Sequence, residues 1–147
     1  MALFYYEKTG TGPLVILLHG FPENGTLWND IAGHLSVHFT VIVPDLPGSG
    51  KTPLLQPYSI MQMAEGIRDI MDAEGEGSAV IAGHSMGGYI AFAFGSLFPE
   101  RTVGISAVHS STSADDEEKK NSRWKTIHLI ENGGQRNFIE SMIPNLF

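Results

Sequence analysis

No cysteine occurs among the 147 residues. A disulfide framework and thiolate chemistry are both excluded, and the oxidising or reducing character of the compartment leaves no mark on the chain. Basic residues are few: nine Lys and Arg stand against 16 Asp and Glu, a formal net charge of −7. That balance argues against nucleic acid or an anionic membrane as the main partner. Long apolar runs are also missing. The longest, YIAFAFGSLF at residues 89–98, falls well short of the roughly 20 residues that a helical membrane span needs. The opening MALFYYEKTG has neither a basic region nor a long apolar one, so it does not read as a secretory signal, and a cytoplasmic protein is the expectation. What is present is 42% apolar and 17% charged residues, the composition of a soluble globular domain with a real core.

Hydrophobic patterning orders the chain. LVILLHG (14–20), FTVIVPD (39–45), SAVIAGHS (78–85) and TVGISAVHS (102–110) are uninterrupted apolar runs ending in turn residues, the pattern of strands buried on both faces of a parallel sheet. Helical stretches separate them. LWNDIAGHL places Leu27, Ile31 and Leu35 on one face; SIMQMAEGIRDIMDAEG opens with Ser59 and Gln62 at capping-box spacing and closes at Gly75. MGGYIAFAFGSLF is apolar nearly all round and stops before Pro99. Strands alternating with helices predict an α/β fold, a mostly parallel sheet with helices on both faces. Past Ser110 the alternation ends. SADDEEKKNSRWKTIHLIENGG reads as a helix with acidic residues at its positive end, and RNFIESMIPNLF as a second, shorter one.

DLPGSGKTP (45–53) contains the ending of a phosphate-binding loop, yet the nucleotide reading fails. The position of the leading glycine holds Asp45, Pro47 removes an amide donor, and Pro53 and Pro57 allow no long helix to follow. The more specific signal is AGHSMGG. Gly83-His84-Ser85-Met86-Gly87 is a G-x-S-x-G match between a buried strand and a buried helix, the context of a nucleophile elbow. There a serine hydroxyl projects from a tight, strained turn, and the amide of Met86 at the helix N-terminus can donate to a developing oxyanion.

These residues resemble the α/β-hydrolase superfamily, specifically its cap-bearing esterase, lactonase and aminopeptidase-like branch, over essentially the whole chain. HGFPEN (19–24) is similar to the His-Gly-aromatic loop after that family's third strand, which implies the amide of Phe21 as second oxyanion donor, with His19 and Gly20 shaping the loop. DLPGSGKT is similar to its Asp-x-Pro-Gly-x-Gly turn, which leaves Lys51 without a catalytic role. FYYEKTG resembles the second strand, with no room for a first. The resemblance implies residues 1–112 as the N-terminal part of an incomplete hydrolase core and 113–147 as the beginning of a helical cap, with Trp124, Phe138 and Met142 among the pocket-forming side chains. It implies Ser85 as catalytic nucleophile, with Gly83, His84 and Gly87 supporting it, and a small-molecule acyl substrate: an ester, lactone, thioester or amide. Peroxidase-like, lyase and C–C hydrolase activities share the motifs and stay open. Serine at 85, where a carboxylate would serve dehalogenases and epoxide hydrolases, points away from those two. Neither a metal nor an organic cofactor is implied.

A triad in this family runs Ser, then Asp or Glu, then His. Only 147 − 85 = 62 residues follow Ser85, and His109 and His128 are the sole histidines among them. Neither stands where the resemblance expects the base, so the triad histidine is expected on a C-terminal part beyond this sequence. Asp115 is a weaker candidate for the orienting acid, with helix N-terminal capping as its plainer reading. His34 and His38 have helical spacing but no acidic partner for a zinc site. The alternative to an enzyme is a non-catalytic protein of the same fold, acting by ligand binding or association. A sheet ending at TVGISAVHS would leave an unpaired edge, and self-association through it is a further expectation.

Overall fold

The computed structural model of the chain describes residues 4–54 and 56–142. In chain order they form β1 (Tyr6–Thr9), β2 (Leu14–Leu18), α1 (Asn29–Leu35), β3 (Thr40–Pro44), α2 (Ile60–Glu74), β4 (Ala79–His84), α3 (Met86–Leu97), β5 (Thr102–Val108), α4 (Glu117–Glu131) and α5 (Gln135–Met142). Short 3₁₀ turns at Gly25–Trp28 and Pro99–Arg101 precede α1 and β5. The chain divides into two compact units, Met1–Thr112 and Ser113–Phe147.

The first unit is built on one sheet of order β1-β3-β2-β4-β5, parallel throughout except that β1 runs antiparallel to β3. The central strand β2 is buried at all five positions, which explains its unbroken apolar sequence. Leu14, Ile16 and Leu18 enter a core with Ile42, Ile81, Ile67, Ile70 and Met71 of the neighbouring strands and α2, and with Ile90 and Phe94 of α3. Val15 and Leu17, on the other face, pack with Val41, Trp28 and Ala32. Helices therefore cover both faces, as the alternating pattern led us to expect. Ser59 caps α2 as anticipated: its hydroxyl accepts the Gln62 amide while the Gln62 side chain accepts the Ser59 N–H, and Gly75, with φ of 72°, ends the helix.

Two expectations need correction, and a third reaches past the described residues. Leu27 and Ile31 do not form the buried face of the first helix; they are 44% and 48% exposed, and Trp28 and Ala32 are buried instead. The element starts as a 3₁₀ turn over Gly25–Trp28, and three residues per turn shift the phase so that Trp28 swings onto the sheet. The last two runs are not buried on both faces either. In β4 buried and half-buried residues alternate, and β5 has no buried residue, because it borders the sheet and α1 covers β2 and β3 rather than these strands. Finally, part of the shorter C-terminal helix read from the sequence, residues 143–147, lies outside the described residues.

In the second unit, the Asp116 carboxylate accepts the Lys119 amide at 2.8 Å and Glu117 and Glu118 occupy the first turn of α4, where their charge complements the helix dipole. Neither α4 nor α5 contains a buried residue. No helix among the described residues is long and apolar enough to cross a membrane.

Candidate active site

Ser85 stands between β4 and α3 with φ 50° and ψ −114°. A non-glycine residue there stores strain of about 1–3 kcal/mol, which the surrounding structure must offset. Three hydrogen bonds do so. The Ser85 amide donates to the Val108 carbonyl at 2.9 Å, and its own carbonyl accepts the Gly88 amide at 3.0 Å and the Ser110 hydroxyl at 2.8 Å. Glycine is required on both sides because strand and helix pass so closely. A Cβ on Gly83 would lie 2.1 Å from the Gly87 carbonyl oxygen, and one on Gly87 would lie 2.4 Å from that of Leu18. Met86 is the first residue of α3, so its N–H has no acceptor within the helix and lies at the positive end of the dipole.

The loop after β2 reaches the same turn. A Cβ on Gly20 would sit 3.0 Å from that of Ser85, so a backbone without a side chain passes directly against the serine. His19 anchors the loop: fully buried, it accepts the Leu46 amide on Nε2 at 2.9 Å, which places its proton on Nδ1, 2.7 Å from the Gly20 carbonyl oxygen. Burial holds its pKa below the ordinary 6.5, against the opposing pull of the Gly20 carbonyl, Asp45 and Glu23. With both ring nitrogens engaged, His19 shapes the loop and is not placed to take a proton from Ser85. Phe21 follows, 56% exposed, at a cis Phe21–Pro22 peptide.

One residue in this cluster received no role from the sequence. Glu23 accepts the Gly20 amide at 2.8 Å and lies 2.9 Å from His84 Nδ1, through the same oxygen, Oε2. The only signal available beforehand was its position three residues after a glycine, within a loop already singled out. The His84 ring in turn packs edge-on against His109, centroids 6.0 Å apart, and His109 closes β5 with a left-handed φ of 47°.

The remaining candidates are occupied elsewhere. His34 Nδ1 lies 2.7 Å from the Asp30 carbonyl oxygen, and His128 pairs with Glu131 at 3.7 Å inside the second unit. Asp115 is paired with Arg123 of its own unit, and that hydrogen bond holds its carboxyl below the usual carboxylate range, with Lys119 and Lys120 adding to the effect. Among the described residues no group of three or more His, Asp and Glu is placed to hold a metal ion. In the Asp45–Thr52 loop the amides of Gly48, Ser49, Lys51 and Thr52 are all consumed internally. Asp45 is buried and clasps the loop, one oxygen accepting the Lys51 amide and the other the Gly25 amide, each at 2.8 Å. A phosphate would find a carboxylate where it needs donors.

Residues 13–131 match the family described as alpha/beta hydrolase fold. The chain is 36% identical over 107 residues to a pimeloyl-[acyl-carrier protein] methyl ester esterase of Aeromonas salmonicida, covering 71% of this chain and 41% of that protein. A thermophilic esterase from Thermogutta terrifontis superposes with a TM-score of 0.90 at 34% identity, over 96% of this chain and 53% of its own. A solved enzyme described as degrading N-acyl homoserine lactones gives 0.72 at 33% identity, over 74% and 42%. The chain thus spans about half the length, or less, of these relatives.

Proposed function

The chain belongs to the alpha/beta hydrolase fold family, and we propose that it serves acyl transfer to water, with Ser85 as nucleophile and a carboxylic ester or lactone as substrate. The observation that carries this reading is the strained φ of 50° at Ser85, held between two glycines that tolerate no side chain and faced by the Gly20 loop. Such strain is retained where geometry serves chemistry. In this reaction the Ser85 oxygen attacks the substrate carbonyl as a base removes its proton. The carbonyl oxygen, now negative, is held by the amides of Phe21 and Met86, and the alcohol leaves as the proton is returned to it. Water then attacks the acyl-serine in the same way. A serine at this position, rather than a carboxylate, favours the acyl route over alkyl-ester chemistry. The activities for which the relatives are named, those of two esterases and a lactone-degrading enzyme, support the same substrate class. The base in this reading is a histidine outside the described residues. In this reading residues 113–147 are the beginning of a helical cap, and the protein acts in the cytoplasm.

The test is hydrolysis of a short-chain p-nitrophenyl ester by the chain and by Ser85→Ala, with and without added imidazole as a surrogate base. An increment over the alanine variant that grows with imidazole is expected; identical rates for both proteins would contradict the reading.

A second reading, association of copies through β5, is favoured by one feature. Among the described residues β5 pairs only with β4, it carries no charged residue, and Val103 is 69% exposed. Light scattering that shows a concentration-dependent dimer, lost in Val103→Lys, would support it; a monodisperse monomer would not.

A further inference from the structure

Glu23 makes contacts that acyl transfer, as described above, leaves without a purpose. Its Oε2 accepts the Gly20 N–H at 2.8 Å and meets His84 Nδ1 at 2.9 Å, and its own N–H donates to the Gly20 carbonyl at 3.2 Å. Gly20 is the residue before Phe21; His84 is the residue before Ser85. A single carboxylate oxygen therefore ties the segment bearing one oxyanion donor to the turn bearing the nucleophile and the other donor. The two segments are remote in sequence and belong to different strands, β2 and β4, so the pleat alone does not fix the fine spacing of their loops. Gly20 makes the tie possible. A Cβ there would lie 3.0 Å from Glu23 Oε2, 3.0 Å from Ser85 Cβ and 3.2 Å from His84 Nδ1, so the carboxylate, the imidazole and the serine converge on one backbone position.

We propose that Glu23 is a positioning residue for the oxyanion site, holding the Phe21 and Met86 amides at a common distance from the substrate oxygen; this rests on the reading of those amides as the donors. Oxyanion donors act at 2.7–3.1 Å from the charge they stabilise, and a misplacement of about 1 Å can cost on the order of 10²-fold in rate. A charge-assisted hydrogen bond is suited to hold such a tolerance, being shorter and roughly twice as strong as a neutral one. The side chains of Glu23 and His84 are 27% and 24% exposed, so solvent competes for the pair only in part. The edge-on His109 ring limits the movement of His84 from its other neighbour, β5. Gln at position 23 can keep the shared oxygen, accepting from both Gly20 and His84, whereas Ala removes it.

The experiment compares the chain with Glu23→Ala and Glu23→Gln in two measurements, each at a temperature where circular dichroism shows all three folded. The first is the rate of fluorophosphonate labelling at Ser85 in the presence of imidazole. The expected result is a loss of tenfold or more in Glu23→Ala and recovery to within about threefold of wild type in Glu23→Gln; a purely structural role would leave the rate of the folded alanine variant unchanged. The second is hydrogen exchange at the Gly20 amide, expected to accelerate at least tenfold in Glu23→Ala while the Ile42 and Ile81 amides keep their protection. Wild-type labelling of Ser85 by Glu23→Ala, or unchanged exchange at Gly20, would overturn the inference. Failure of the wild-type chain to label at all would instead overturn the reading of Ser85, and exchange alone would then decide the role of Glu23.

Discussion

Ser110 donates its hydroxyl to the carbonyl of Ser85 at 2.8 Å, so the strained turn is pinned from the end of the neighbouring strand, 25 residues away in sequence. The bond is partly buried, and a neutral hydrogen bond of this kind contributes about 0.5–1.5 kcal/mol net. Ser110→Ala is predicted to lower unfolding free energy by about 1 kcal/mol, read from the urea midpoint at constant slope, and to slow labelling of Ser85 by loosening its backbone. An unchanged midpoint would mean that the turn is held by the Val108 and Gly88 bonds alone.

The two glycines of the elbow are predicted to be irreplaceable. Alanine at 83 or 87 would put a methyl 2.1 or 2.4 Å from a backbone oxygen, and no side-chain rotation can relieve such a contact. Each variant is expected to lose more than about 3 kcal/mol, at or beyond the upper end of ordinary point mutants, and to be recovered largely unfolded. Gly33, in α1 with open space around its Cα, is the control: Gly33→Ala is expected to stabilise the chain by about 0.5–1 kcal/mol.

His19 sets a pH limit on the loop. Its folded pKa lies below the ordinary 6.5 because burial disfavours the charged ring, so the stability tied to neutral His19 is fully present above pH 6.5. It is lost as pH falls from there through the folded value, since protonation removes the Nε2 acceptor of the Leu46 amide. A titration of the His19 ring by NMR should show a midpoint below 6.5, with the urea midpoint falling as pH drops through that value. A His19 that titrates at or above 6.5 would contradict this account of the loop.

How much of this was legible in the sequence follows from what each signal depends on. LVILL announced a strand buried on both faces because burial on each side leaves no polar alternation, and Ser59 with Gln62 announced a helix start because the capping box is a purely local device. G-x-S-x-G fixed the place of the turn for a similar reason: backbone clash is decided within five residues. Leu27 and Ile31 were read onto one helical face that turned out not to be the buried one, because a 3₁₀ turn changes the helical phase without any change in composition. The exposed faces of β5 were hidden because an apolar run looks the same whether or not its faces are covered, although its place at the edge of the sheet was expected. Glu23 went unread because its partners, Gly20 and His84, meet only once β2 and β4 lie side by side, and no spacing along the chain carries that information.

The most direct test of the account is intact mass after treatment with a fluorophosphonate, for the folded chain and for Ser85→Ala, with and without imidazole. An elbow and oxyanion site without its base retain roughly 10³–10⁴-fold catalysis over water. A single slow adduct is therefore expected on the wild-type chain, accelerated by imidazole and absent from the alanine variant. No adduct on a folded chain in the presence of imidazole, or an adduct that persists in Ser85→Ala, would contradict it.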